Sequence, residues 1–250
     1  MLNFYFITGF MGTGKTSMIR MLHEQLIDSS QAVYSISLSS QENSNVLPQT
    51  YWIVEDLDLY IEQKFRISIS AYFEQFGEAK FRRAEEACLE EIFMYVSQIE
   101  SQLQEKHRDT NIHVLISLGG GCIFDPQTRI SILNFSKRTD LSICCHLSAD
   151  FEVIQQRIQG NEFVKRPLAV DIQQKYEERK QIWPLISQEI QNHGVLVEEI
   201  GVLVEEIENN SHHIESKIKH IVLSAIKNST DVQNPILSQS NETNREVEIW

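Results

Sequence analysis

No stretch of this sequence approaches the roughly 18 consecutive apolar residues that a helix needs to cross a bilayer, so a helical membrane protein is left out. Positive charge is scarce: 22 Lys and Arg stand against 35 Asp and Glu, a formal net charge of -13. Nucleic acid and anionic membrane surfaces would be repelled at long range, and neither is expected as a partner. A small anionic substrate would need a local Arg or Lys cluster working against that field. Cysteine is sparse, with Cys88, Cys122, Cys144 and Cys145 and no C-x-x-C pair; buried reduced thiols are expected rather than a disulfide framework or a zinc site. Met1-Leu2-Asn3-Phe4 runs straight into a strand. That leaves no room for a signal peptide, so the expected compartment is the cytoplasm and N-x-[S/T] matches such as Asn228-Ser229-Thr230 carry no glycan. Long repeats are lacking too. Gly194–Ile200 recurs identically as Gly201–Ile207, but two such short copies do not make a solenoid, and a local duplication at a terminal strand accounts for them.

What is present is ordinary for a globular chain: 250 residues, 42% hydrophobic and 23% charged, enough for one α/β domain with a buried core. Residues 2–8 are an apolar, aromatic-rich run that reads as a buried strand, and a helix follows from about Lys15 with Met18, Met21, Leu22 and Leu26 on one face. Residues 29–50 form a Ser, Gln and Asn-rich insertion in which Ala32 to Leu38 is a candidate extra strand. Strands are expected at 51–54, 112–118 and 141–147, and helices over 59–107 and 150–159. Ala84, Ala87, Cys88 and Ile92 recur at helical spacing. A helix over 175–191 contains Pro184, where a kink or break is expected. An amphipathic helix is expected over 213–227, and the polar segment 228–250 reads as a disordered tail. Apolar strands alternating with helices imply a parallel sheet covered on both faces.

The chemistry starts at Gly9-Phe10-Met11-Gly12-Thr13-Gly14-Lys15-Thr16, a complete G-x-x-x-x-G-K-[ST] loop between a strand and a helix. Glycines let successive N–H groups turn inward around phosphates, and the helix N-terminus adds partial positive charge. Lys15 reaches the β- and γ-phosphates, and the Thr16 hydroxyl ligates Mg²⁺. The loop therefore predicts a nucleoside triphosphate with Mg²⁺. Asp56-Leu57-Asp58 follows the strand 51–54 and so shares the P-loop's edge of a parallel sheet. One carboxylate suits the hydration shell of Mg²⁺, the other the hydroxyls of a substrate; a solvated acidic turn is the plain alternative. Arg82 and Glu85 lie three apart on one helix face, the spacing of an ordinary surface ion pair. Gly119-Gly120-Gly121 at a strand end would let a ligand approach the backbone. Arg166, in Lys165-Arg166-Pro167-Leu168, is placed in a loop where a lid arginine would meet the transferring phosphoryl group.

Taken together, the P-loop, Asp56-Leu57-Asp58 with Ile61-Glu62, Gly77-Glu78-Ala79-Lys80-Phe81-Arg82-Arg83-Ala84-Glu85, Ser117-Leu118-Gly119-Gly120-Gly121 and Arg166-Pro167-Leu168 resemble the shikimate kinase family. This is a branch of the nucleoside-monophosphate-kinase-like P-loop proteins, and the resemblance covers about residues 1–227. It implies a P-loop kinase fold, with a central parallel sheet of about five strands between helices and a lid over about 157–170. It implies ATP-dependent phosphorylation of the 3-hydroxyl of shikimate by a monomer, on the route to chorismate and the aromatic amino acids. The roles it carries over put the donor on Gly12, Thr13, Gly14, Lys15, Thr16, Ser17, Arg166 and, approximately, Arg157. They put the acceptor on Asp58, Arg82, Glu85, Gly120, Gly121 and Arg179. Lys15, Asp58 and Arg166 are the implied catalytic residues, with Mg²⁺ held by Thr16 and, through water, by Asp56. Shikimate carries a carboxylate and a ring of hydroxyls, and guanidinium forks at Arg82 and Arg179 suit the former. The chain departs from the family in its insertion, its extended helix after Glu85, Ala169 after Leu168, the duplication and the tail. Two other readings remain open on the residues: a P-loop kinase with another acceptor, such as gluconate or a nucleotide, and a non-catalytic nucleotide-binding homologue.

Overall fold

The computed structural model describes residues 1–28, 32–38, 50–106, 110–160 and 172–202. The lid arginine Arg166, most of the insertion, the helix expected over 213–227 and the 228–250 tail lie outside the described residues. β1 (Leu2–Gly9) is buried along its whole length. It lies between β4 (Asn111–Ser117) and β5 (Leu141–Ala149) in a sheet ordered β2-β3-β4-β1-β5-β6. Every pairing in it is parallel. The sheet has six strands rather than about five. The added one is β2 (Ala32–Tyr34), whose short apolar run pairs with Tyr51–Ile53 of β3 (Thr50–Asp56) at one edge. The expected strand stops at Tyr34 because Ser35 to Leu38 turn away from the ladder. β6 (Leu196–Val202) forms the other edge and runs from the first copy of the duplicated heptad into the second.

Alternate residues of each strand feed two apolar layers, as a doubly covered sheet requires. Phe4, Phe6, Ile53, Val114 and Cys144 join the layer under α2 (Leu57–Phe65), α3 (Ile69–Lys106), α4 (Pro126–Ser136) and α6 (Ile172–Asn192). Tyr5, Ile7, Trp52, Leu115 and Cys145 join the layer under α1 (Lys15–Asp28) and α5 (Phe151–Gly160). The adjacent Cys144 and Cys145 therefore face opposite sides of the sheet, and all four cysteines are buried free thiols. On α3, Ala84, Cys88 and Ile92 are buried as their spacing predicts; Ala87 is exposed, and Leu89 and Val96 complete the face instead.

Two helices depart from expectation. α6 is not broken at Pro184, which sits inside it, because Trp183, Ile186 and Ile190 on either side are all buried. α3 is broken, at Gly77 (φ 77, ψ 169), a backbone region that only glycine occupies readily. The strands' C-terminal ends share one edge, which brings Gly9, Asp56, Ser117 and Leu147 into neighbouring registers. Among the described residues no helix is long and apolar enough to cross a membrane.

Candidate active site

The P-loop leaves the central strand and turns on three glycines with positive φ, Gly9, Gly12 and Gly14. At Gly9 glycine is required twice over, since a Cβ there would also collide with the Leu147 carbonyl. The Thr13 hydroxyl donates to Phe10 O (2.8 Å), and Lys15 Nζ donates to Gly9 O (2.9 Å) and Phe10 O (3.1 Å), which holds the ammonium within the loop's curve. Thr16 and the exposed Ser17 follow in the first turn of α1. Arg157, on α5, donates from Nη1 to Gly12 O (2.9 Å), so it braces the P-loop backbone itself.

Asp56 ends β3 and caps α2, accepting from the Leu59 N–H (3.0 Å). Its carboxyl is buried, and burial raises its pKa, with Asp58 adding to the effect; the Leu59 N–H, the Thr16 hydroxyl and the Lys15 charge oppose it. Asp56 Oδ2 has no hydrogen-bond partner. A buried carboxylate oxygen without a protein partner, beside a P-loop hydroxyl, fits a hydrated cation that carries its own water donors. Among the described residues no cluster of three His, Cys, Asp or Glu could cage a metal.

The other half of the site is built by α3, the glycine turn and α6. Glu85 is fully buried and takes Arg82 Nη1 at 2.6 Å, while Arg82 Nη2 reaches the half-exposed Glu78 at 3.2 Å. Burial works against the Arg82 charge, but the two glutamates outweigh it and hold its pKa above the ordinary value. Burial pushes Glu85 up to about 7 against the pull of Arg82, with Asp58 adding to the rise. Glu85 Oε1 is buried without a partner. Two of the three glycines make room for these side chains, and Gly120 lies against the P-loop backbone at Met11 and Gly9. A Cβ at Gly119 would collide with Glu85 Oε1 and lie 2.9 Å from Asp58 Oδ1; one at Gly121 would drive into the Arg82 guanidinium. Arg179 donates from Nη1 to Gly120 O (2.9 Å) and lies over the rings of Phe10 and Phe124. Burial and the nearby Arg82 lower its pKa to about 10.

Asp58, Arg82, Glu85, Gly120, Gly121 and Arg179 thus converge on one cleft, partly open to solvent, whose rim includes Met11 of the P-loop. The same cleft carries an apolar wall in which Phe81, named within the family string, is joined by Ile69 and Phe73, which the sequence did not single out. Its one signal in the sequence is Gly77 inside a helical pattern: the break there lets 69–76 fold back so that the Phe73 and Phe81 rings meet at 4.4 Å.

Residues 48–207, more than half of the chain, match the family model for shikimate kinase. The chain belongs to the shikimate kinase family. The match begins beyond the P-loop, so donor loop and family match are separate observations. A shikimate kinase of Lactococcus lactis subsp. cremoris strain MG1363 is 27% identical over 184 residues, 72% of this chain and 82% of that protein. Among solved structures, shikimate kinase from Acinetobacter baumannii in complex with shikimate superposes with a TM-score of 0.53 at 20% identity, covering 90% of this chain and 95% of that one. The shikimate kinase from Bacteroides thetaiotaomicron gives 0.52 at 21% identity, covering 88% and 98%. At such identities the superpositions establish the shared fold.

Proposed function

We propose that this chain transfers the γ-phosphate of ATP to the 3-hydroxyl of shikimate, giving shikimate 3-phosphate and ADP. The observation that carries the reading is the buried Arg82–Glu85 pair facing Arg179 across a cleft that opens beside the P-loop. Two guanidinium groups suit a carboxylate, and the carboxyl oxygens of Asp58 and Glu85 beside them suit hydroxyl donors. The ring of the acceptor would lie against Phe73. Asp58 accepts from the hydroxyl that attacks and orients it; Lys15 follows the charge that develops on the transferring group. Thr16 would hold Mg²⁺ directly and Asp56 through water, and the bound ion neutralises phosphate charge. We assign Arg166 to the lid over the same phosphoryl group on the family's pattern alone, and Arg157 to the donor side, where it braces the P-loop. The local cluster of Lys15, Arg82 and Arg179 outweighs the remote charge of -13, since unscreened attraction extends only about 8–10 Å in physiological salt. A cytoplasmic monomer is the form we assign to it.

ADP release coupled to a dye, with shikimate and with gluconate as acceptors, tests the reading. Shikimate-dependent release is expected, and Arg82→Ala should raise the shikimate KM by about 10-fold or more, the value of a lost charge-assisted pair, with ATP affinity kept. Gluconate dependence, or an unchanged shikimate KM in that variant, would overturn it.

A further inference from the structure

Beyond β2 the chain does something the family match does not cover, since that match starts at residue 48. After Tyr34, residues 35–38 leave the ladder and fold onto the end of β3. There they close around the carboxylate of Glu55, which is fully buried. The Ile36 N–H donates to Oε1 (2.6 Å), while the Ser37 N–H (3.0 Å), Ser37 Oγ (2.7 Å) and Ser35 Oγ (3.3 Å) converge on Oε2. A buried carboxylate is tolerable only with donors of this kind around it. The cage is also tied to its surroundings on both sides. Ser37 Oγ accepts from the Asp56 N–H (3.0 Å), and Ser37 O accepts from Gln63 Nε2 on α2 (3.0 Å).

These bonds hold the residue immediately before Asp56-Leu57-Asp58, the Asp56 N–H itself and, through Gln63, the helix that carries Asp58. Asp56 caps α2 and faces Thr16; Asp58 Oδ1 sits beside Gly119 and Glu85. A general anchor for an edge strand has no reason to be concentrated there. We propose that Glu55 is a positioning residue: locked by Ser35–Ser37, it sets the backbone from which Asp56 and Asp58 are aimed at the P-loop and the acceptor cleft. The start of the insertion is thereby part of the active-site frame. The activity arm of its test rests on the function proposed above; the binding arm does not.

Glu55→Gln keeps the volume but turns an amide NH₂ toward groups that are themselves donors. Ser37→Ala removes the hydroxyl that joins Glu55 to Asp56, and Ser37→Thr keeps it. Each full-length variant is measured for shikimate-dependent ADP release, and by calorimetry for ADP affinity with and without Mg²⁺. Loss of a hydrogen bond to a charged group predicts a fall in kcat of about tenfold for Glu55→Gln and Ser37→Ala. The gain in ADP affinity that Mg²⁺ confers should shrink by about threefold or more, Mg²⁺-free ADP affinity should hold, and Ser37→Thr should restore both quantities. Wild-type values of kcat and Mg²⁺ dependence in the two damaging variants would overturn the proposal. So would an equal loss of Mg²⁺-free affinity, which marks general loosening. If Glu55→Gln fails to fold, the Ser37 pair decides. If the wild type does not phosphorylate shikimate, that reading falls and calorimetry alone decides this one.

Discussion

Glu85 shows how much one side chain can be asked to do. Its Oε2 anchors Arg82, its Oε1 is left without a partner, and burial lifts its pKa to about 7. Between its ordinary value of 4.5 and about 7 the unfolded chain gives up this proton while the folded chain keeps it. Folded stability therefore falls as pH rises through that window and levels off above it, by up to about 3 kcal/mol from this group. Asp56 and Glu55, also raised by burial, act in the same direction, so the contribution of Glu85 is read as a difference between proteins. Glu85→Gln should lose less stability than the wild type between about pH 5 and about pH 8, measured as urea midpoints. Equal slopes would mean that Arg82 keeps the carboxyl ionised across the whole range.

Among the elements, α3 is decisive because it is two helices joined at Gly77. The break places Phe73 from the first part and Arg82 and Glu85 from the second on the same cleft. Arg82 lies over the Phe81 ring at 5.4 Å and the Phe73 ring at 6.0 Å. Glu78, directly after the break, ties Arg82 to Lys175 at the start of α6, the helix that carries Arg179. Nothing crowds a Cβ at Gly77, so the cost of substitution there is purely that of its φ and ψ. Gly77→Ala should lower stability by about 1–3 kcal/mol and raise the shikimate KM, while ADP affinity stays at the wild-type value. A variant with normal shikimate KM would show that the break serves folding alone.

For the whole molecule, the duplicated heptad bears on one edge of the sheet. β6 pairs with β5 from Leu196 to Val202 and contributes the buried Ile200, supplied by the first heptad copy. Because the copies are identical, deleting either yields one and the same chain. That chain keeps the pairing through Ile200 and loses only that of Gly201 and Val202 with Ser148 and Ala149. Its melting temperature should fall by only about 2–4 °C, as for a loss near 1 kcal/mol in a chain of this size, and ATP affinity should not change. A collapse of the fold would show that the second copy is needed.

The donor half was legible in the sequence because its chemistry is local. A strand, a glycine turn with Lys15 and Thr16, and a helix lie within a few residues, and backbone geometry alone makes them a phosphate cradle. The parallel sheet was legible for the same reason, through apolar runs alternating with helices. The acceptor residues were named from a family pattern; spacing alone made Arg82 and Glu85 an ordinary surface pair. Only tertiary structure buried Glu85, set the Arg82 guanidinium against Gly121 and brought Arg179 onto Gly120 across 59 residues of chain. The Glu55 cage was not legible, since it depends on where an edge strand lets go of its neighbour, and the Phe73 wall left only the trace of Gly77, since it depends on the path of a broken helix. Sequence determined what this chain holds through contacts a few residues apart; the burial of charge, which depends on everything packed around it, was decided by the fold.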